Sequence, residues 1–106
     1  MSRGPEALRA RAHYRRGMTK RIEAREDRLI EVLRLIGLAG ENGVDERRIV
    51  GQVERVLRVS SRTAKSYLAD LRIRGWARVA YGNAKLQPTG AAELEEAKRL
   101  EAKAIE

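Results

Sequence analysis

One segment, from Ser60 to Gly75, constrains the fold of this chain more than any other. Ser60 can accept a hydrogen bond from a free N–H of a first helical turn, and Gly75 can adopt the left-handed conformation that ends a helix. Between these ends Ala64, Leu68 and Leu71 recur at helical spacing, which predicts a stripe that faces a core. Local chemistry therefore predicts one complete helix.

A different face of this helix is small and basic. It carries Ser61, Arg62, Lys65 and Ser66. A helix face that meets only water usually mixes long charges of both signs, whereas these short side chains would let another backbone approach closely. The segment alone leaves two interpretations open, a helix that recognises DNA and an ordinary amphipathic surface helix, because a motif needs its structural context.

Composition removes several chemistries. The 106-residue chain contains no Cys, which excludes disulfides, thiolate zinc sites and cysteine nucleophiles, and its single histidine, His13, cannot form a metal site alone. Asp45 and Glu46 are adjacent carboxylates, but their position predicts a helix N-cap and a first-turn acid, with no nucleophile or phosphate-binding glycine loop nearby. We expect no metal, no cofactor and no enzymatic activity. The chain also lacks an apolar run of membrane-spanning length and a signal peptide, which predicts a soluble cytoplasmic protein.

The net charge of +8 is unevenly distributed. Between Arg47 and Arg78 nine basic residues stand against two acidic residues. Phosphate neutralisation and counterion release make such clustering favourable for binding a polyanion. Nucleic acid is the leading candidate and a membrane surface the second, since charge that only maintains solubility is usually mixed in sign.

Coarse patterning divides the chain into a basic arm (residues 1–19), a domain (residues 20–88) and a C-terminal helix (residues 89–106). The arm has few large apolar residues, and its Arg11, Arg15 and Arg16 extend the positive charge. A first core helix is predicted over residues 20–39, with an apolar face that includes Ile22, Leu29, Ile30, Val32, Leu33, Leu35, Ile36 and Leu38.

A second helix is predicted over residues 46–57, after a turn at residues 40–43. Asp45 is its expected N-cap, and its expected core side carries Ile49, Val53, Val56 and Leu57. Arg47 and Arg48 lie in its first turn. Arg58 and Val59 would then form a tight connection to the helix of residues 60–74.

A β-hairpin is predicted after Gly75, with strands at residues 76–81 and 84–87 around a two-residue Gly82-Asn83 turn. Arg78 and Lys85 are expected to point outward from it. The last segment carries a sparse apolar stripe that fits either packing on the same domain or a dimer seam: Leu94, Ala97, Leu100, Ala104 and Ile105.

The resulting fold class is mainly α with a small β-hairpin, and its element order resembles the winged helix-turn-helix family. Residues 45–50 resemble the start of that family's second helix, residues 59–68 its recognition helix, and residues 81–90 its wing and the entry to the closing helix. This chain has Gln87 where that entry usually has a threonine cap, so we expect the last helix to begin later, with Thr89 as its cap. The resemblance covers about residues 25–95.

The chain is similar, within this family, to small archaeal transcription regulators and to chromatin proteins in which the helix after the wing pairs two subunits. The resemblance therefore implies a homodimer through the C-terminal helix. It also implies a nucleoid-associated protein that binds double-stranded DNA, either as a transcription regulator or as an architectural protein.

The leading hypothesis places the helix of residues 60–74 in the major groove and the wing, about residues 77–87, on the flanking backbone or in the minor groove. Its expected contact residues are Ser61, Arg62, Lys65, Ser66, Arg47, Arg48, Arg78, Lys85, Arg11, Arg15 and Arg16. An RNA-binding or ribonucleoprotein-associated winged helix is the alternative, disfavoured by the lack of interleaved aromatic residues for stacking bases. A protein-binding module ranks third, because interface cores are depleted in charge.

Overall fold

The computed structural model describes residues 24–105, which form four helices and a three-stranded antiparallel sheet. The elements are α1 (residues 24–38), β1 (Val44–Asp45), α2 (Glu46–Leu57), α3 (Ser61–Ile73), β2 (Ala77–Ala80), β3 (Asn83–Leu86) and α4 (Pro88–Ile105). The prediction of a mainly helical fold with a small β-hairpin is confirmed. The basic arm of residues 1–19, with Arg11, His13, Arg15 and Arg16, lies outside the described residues.

The core is formed where α1, α2 and α3 meet the sheet. Its largest fully buried side chains are Leu29, Leu33, Ile36, Ile49, Leu71, Val32 and Val53. Burial of each such side chain stabilises the fold by about 1.5–3 kcal/mol. The prediction of a core position was wrong for two residues. Leu38, at the end of α1, is 83% exposed, and Val56 of α2 is also exposed. Each lies at the margin of its helix's apolar face, where periodicity alone does not show how far the neighbouring elements reach.

β1 was not predicted, since its two residues are too few to show an alternating pattern. It pairs with β3, and β3 also pairs with β2, so β3 is the central strand. Gly43 makes this pairing possible. It has φ +74°, and a Cβ atom there would lie 2.5 Å from the carbonyl oxygen of Ala84. A side chain at this position would push β1 away from β3.

The hairpin turn lies one residue earlier than predicted. Ala80 pairs with Asn83, so the two turn residues are Tyr81 (φ 54°) and Gly82 (φ 70°). Positive φ at both central residues is the signature of a type I′ turn, whose twist matches that of the strands. Asn83 instead begins β3, and its side-chain amide donates a hydrogen bond to the carbonyl of Asn42 (3.2 Å).

α4 begins at Pro88, earlier than predicted, and Thr89 is not its cap. The amide of Ala91 donates to the carbonyl of Gln87 (2.9 Å), which makes Gln87 the capping residue. Proline lacks a backbone N–H, but at the first helical position this costs no hydrogen bond, because an N–H there would have no acceptor within the helix. Two residues later Gly90 allows a close approach: a Cβ atom there would lie 2.0 Å from the carbonyl oxygen of Trp76.

The two ends of α4 differ in their packing. Leu94 is buried against the domain, beside Gly37 of α1, whereas Leu100 is 58% exposed. The second half is joined to α1 by an ion pair between Arg34 and Glu101. Among residues 24–105 no helix combines the length and apolar character needed to cross a membrane.

Candidate nucleic-acid interface

Both predicted ends of α3 are confirmed. The Ser60 hydroxyl accepts a hydrogen bond from the Thr63 amide (3.1 Å), and Gly75 has φ +74°. The amides of Gly75 and Trp76 donate to the carbonyls of Arg72 (3.1 Å) and Leu71 (3.0 Å) respectively, the paired bonds of a Schellman motif. The helix is therefore closed at each end by its own local residues.

The two predicted faces of α3 are also present. Its buried residues are Ala64, Tyr67, Leu68 and Leu71, and its exposed residues include Ser61, Arg62, Lys65 and Ser66. Ser66 is not wholly available, because its hydroxyl accepts a hydrogen bond from the Arg25 guanidinium at 3.3 Å. The fold thus turns the small basic face of the helix toward solvent.

Arg47 joins this face from α2. With Ser61 and Lys65 it lines a shallow depression between the first turns of α2 and α3, together with Glu46 and Val50. The start of α2 is fixed by its N-cap. The Asp45 carboxylate accepts hydrogen bonds from the amides of residues 47 and 48 (2.9 and 3.3 Å), as predicted. The structure therefore brings one of the two predicted α2 arginines to the face of α3.

Arg48 lies elsewhere. It lines a separate depression formed with the end of α1 and with β1, alongside Leu38, Val44 and Gln52. The interpretation that groups it with Arg47 is therefore not supported by this placement, because adjacent residues on a helix point about 100° apart.

The hairpin is connected to the same region through the backbone. The Glu46 amide donates to the carbonyl of Gly82 at 2.8 Å, so the tip of the hairpin touches the first turn of α2. Beside that contact, Glu46 and Arg47 line the depression that also contains Ser61 and Lys65. We call this the basic surface and define it by Arg47, Ser61, Arg62, Lys65, Ser66, Arg78 and Lys85.

Arg78 and Lys85 occupy directly opposed positions on β2 and β3. Both side chains are exposed, as predicted. Two like charges at opposed positions in an antiparallel pair destabilise the sheet. An anion bound between them would relieve that repulsion, so the pair is electrostatically suited to a phosphate.

Other arginines are used within the fold. Asp70 of α3 accepts hydrogen bonds from Arg25 (3.1 Å) and Arg74 (3.2 Å), and Arg74 also pairs with Glu26 (2.6 Å). We call these four residues the paired cluster. Burial raises the pKa of Asp70, but the hydrogen bonds from Arg74 and Arg25 outweigh burial and hold it below its ordinary value.

Tyr67, the aromatic residue of α3, belongs to the core. Its side chain is 3% exposed, and its hydroxyl accepts a hydrogen bond from Arg28 at 3.1 Å. The Arg25 guanidinium lies 5.1 Å from the centre of its ring. Tyr67 therefore has no free face on which a base could stack.

Two exposed residues adopt a backbone conformation that the sequence did not predict. Arg58 ends α2, and Tyr81 occupies the hairpin turn; both have φ 54°, in the left-handed region. That conformation costs a non-glycine residue roughly 1 kcal/mol or more. Only the proximity of Tyr81 to Gly82 could have suggested it, because backbone angles cannot be read from the residue type.

No protein-family model, curated protein or solved structure matches this chain. The resemblance to the winged helix-turn-helix family thus remains a prediction from the order and spacing of its motifs. Within residues 24–105 no group of acidic, histidine or cysteine side chains is arranged to hold a metal ion.

Proposed function

We propose that this protein binds double-stranded DNA through the basic surface, with α3 in the major groove and the hairpin on the flanking backbone. This is the arrangement of a winged helix-turn-helix domain. Binding of this kind would place the protein on chromosomal DNA, as a transcription regulator or an architectural protein.

One observation carries the proposal: the cations of the basic surface have no carboxylate partner among residues 24–105. Arg47, Arg62, Lys65, Arg78 and Lys85 form no ion pair there, whereas Arg25, Arg34 and Arg74 each contact at least one carboxylate. Unpaired cations gathered on the exposed face of α3, the first turn of α2 and the hairpin favour a polyanion. Glu46 lines the depression that also contains Arg47 and Lys65, so a carboxylate also lies within this surface.

The dimensions of α3 support docking in the major groove. A B-DNA major groove is about 12 Å wide, which accommodates one α-helix. The first two turns of α3 present Ser61, Arg62 and Lys65, which are short or flexible enough for the helix axis to approach the base edges. Arginine and lysine are also the side chains that most often hydrogen-bond guanine there.

The aromatic residues favour duplex DNA over single-stranded RNA. Proteins that bind unpaired bases usually stack them on several exposed aromatic side chains. Tyr67 is buried in the core, and among residues 24–105 Tyr81 is the one aromatic residue that is largely exposed. The RNA-binding alternative thus has less support than the duplex.

A homodimer through α4 belongs to the same proposal. Leu100 is exposed, and Ala97 and Leu100 line a depression with Ile30 of α1. A second copy of α4 could cover these apolar side chains, which lie among the charged residues Asp27, Arg28, Glu31 and Glu101. The dimer would place two copies of α3 on the same duplex, as helix-turn-helix dimers do.

The test is to replace the two long cations of α3 together, Arg62→Gln with Lys65→Gln, and to measure binding to a mixed-sequence duplex over a range of salt concentrations. Each lost phosphate contact should reduce the slope of log K against log [salt] by about 0.9. The matched control is Arg48→Gln with Arg55→Gln on α2, two exposed cations outside the basic surface, which should leave affinity and slope unchanged. Equal behaviour of the two double variants would refute the proposed docking.

Selection from a random duplex pool separates the two classes of DNA-binding protein. An enriched palindrome together with a dimeric mass in solution indicates a regulator, whereas steep salt dependence without enrichment indicates an architectural protein. A parallel competition with structured RNA at equal salt tests the RNA-binding alternative.

A further inference from the structure

Tyr81 is the most exposed large hydrophobic residue of the part of the chain that the structure describes. Its side chain is 98% exposed, at the tip of the hairpin. No element of the domain packs against it, so its ring contributes almost nothing to the core. A large aromatic side chain in such a position suggests contact with another molecule.

The backbone under Tyr81 makes the position more unusual. Type I′ turns favour Asn, Asp or Gly at their first central residue, because φ is positive there. Tyr81 adopts that conformation at φ 54° without the local hydrogen bonds that an Asn side chain can supply. A tyrosine at this position therefore lowers the stability of the fold and gains nothing from packing.

The neighbours of Tyr81 are those that a phosphate backbone would require. Tyr81 shares a shallow depression with Arg78, Lys85, Ala80 and Asn83. The two cations stand at opposed positions on the strands that lead to the turn. The ring of Tyr81 at the tip could therefore make an apolar contact while Arg78 and Lys85, one on each strand, contact phosphates.

We propose that Tyr81 contacts duplex DNA by inserting its ring into the minor groove, while Arg78 and Lys85 neutralise the phosphates beside it. This inference rests on the proposed duplex binding and adds a contact that charge alone would not supply. The aromatic ring packs against the deoxyribose walls of the groove, and the phenol hydroxyl can hydrogen-bond the acceptors on the base edges.

Geometry favours the minor groove. If α3 occupies the major groove, the hairpin attached to the first turn of α2 meets the neighbouring stretch of duplex, where a narrow tip is needed. A two-residue turn with one projecting side chain is narrow enough to enter a groove about 6 Å wide. Apolar side chains inserted from this side are a recognised way to grip and deform DNA.

The test is Tyr81→Asn, which gives the turn its preferred Asn-Gly sequence. We expect about tenfold weaker binding to a mixed-sequence duplex, the size of one lost base or sugar contact to an aromatic ring. The salt slope should stay unchanged because no charge is removed, and the melting temperature should stay equal or rise. The matched control is Leu38→Asn, which removes another exposed apolar side chain and should leave the affinity unchanged.

A second measurement locates the contact. Replacing adenine by 2,6-diaminopurine adds an amino group to the minor groove and leaves the major-groove edge of the base pair intact. This change should weaken binding of the wild-type protein several-fold more than binding of the Tyr81→Asn variant. Equal sensitivity of the two proteins would overturn the minor-groove placement.

The outcomes distinguish this inference from the proposed function. If Tyr81→Asn binds as tightly as wild type while Arg62→Gln with Lys65→Gln weakens binding, the Tyr81 contact is wrong and the proposed function stands. If the wild-type protein does not bind duplex DNA, both fail together.

Discussion

The basic surface and the paired cluster use the same residue type in opposite ways. In the paired cluster Arg25 and Arg74 converge on the carboxylate of Asp70, and Arg74 reaches Glu26 as well. On the basic surface the cations have no carboxylate partner among residues 24–105, and two of them, Arg78 and Lys85, oppose each other across the hairpin. Both regions involve α3, which contributes Asp70 to one and Lys65 to the other.

The difference shows that positive charge in this chain has two separate roles. Arginines that bridge α1 and α3 fix how the helices pack, and their charge is already neutralised. Those on the basic surface leave their charge uncompensated, at some cost to the isolated protein. Net charge alone therefore overstates what is available to a partner, because part of the positive charge of residues 24–105 is already paired within the fold.

The largest effect on stability should come from reversing a charge in the paired cluster, and the same reversal on the basic surface should have almost none. Arg74→Glu would place a third carboxylate beside Glu26 and Asp70, and we expect it to lower the free energy of unfolding by about 3 kcal/mol. Arg62→Glu should change it by less than about 0.5 kcal/mol. Urea unfolding followed by circular dichroism measures both. Similar losses for the two variants would show that the regions do not differ in role.

Removing only the shared carboxylate should have a smaller effect. Asp70→Asn keeps the size of the side chain but removes the anion that Arg25 and Arg74 share, so Arg25 loses its carboxylate partner and Arg74 keeps only Glu26. We expect a loss of about 1–2 kcal/mol. The melting temperature should fall by several degrees, since about 1 kcal/mol corresponds to roughly 4–8 °C in a domain of this size. Glu96→Gln, on exposed α4, is the control, and a comparable fall there would contradict the role of the cluster.

The pH dependence of stability should reveal the same carboxylate. Because the pKa of Asp70 is lowered in the folded state, its contribution is present above the unfolded value, about 3.9, and is lost as the pH falls through the folded value. The difference in unfolding free energy between wild type and Asp70→Asn should therefore be largest near neutral pH and shrink below about pH 4. A difference that stays constant from pH 7 to pH 2 would rule out this linkage.

The smallest effect should have the opposite sign. Lys85→Thr removes the repulsion with Arg78 and places a β-branched residue in β3, so it should stabilise the domain by a few tenths of a kcal/mol. The same change should reduce the salt slope of duplex binding by about 0.9. Lys98→Gln on α4 should alter neither quantity. A loss of stability in Lys85→Thr would mean that the opposed pair is not repulsive.

Local features were predictable from the sequence, and α3 is the best example. Its caps at Ser60 and Gly75 depend on residues within a few positions, and its faces follow from helical periodicity. The hairpin was predicted with its turn displaced by one residue, because Gly82 can occupy either central position of a two-residue turn. The β1 strand was missed, since its pairing with β3 depends on the close approach at Gly43.

Contacts between residues that are distant in the sequence could not be predicted. The contacts of Asp70 with Arg25 join residues 45 positions apart, so the sequence could not separate paired from unpaired cations. The same limit applies to Arg48, which shares a helical turn with Arg47 yet lines a different depression. Exposure of Tyr81 likewise depends on which residues form the turn.

The hydrogen bond from the Glu46 amide to the Gly82 carbonyl has a mechanical consequence. It ties the hairpin tip to the helix that packs on α3, so α3 and Tyr81 are presented at a constant separation. If the proposed complex forms, a duplex that meets both would have to adjust its own curvature and groove width to that separation. The ease with which a sequence bends would then contribute to the choice of binding site, even at base pairs that no side chain touches.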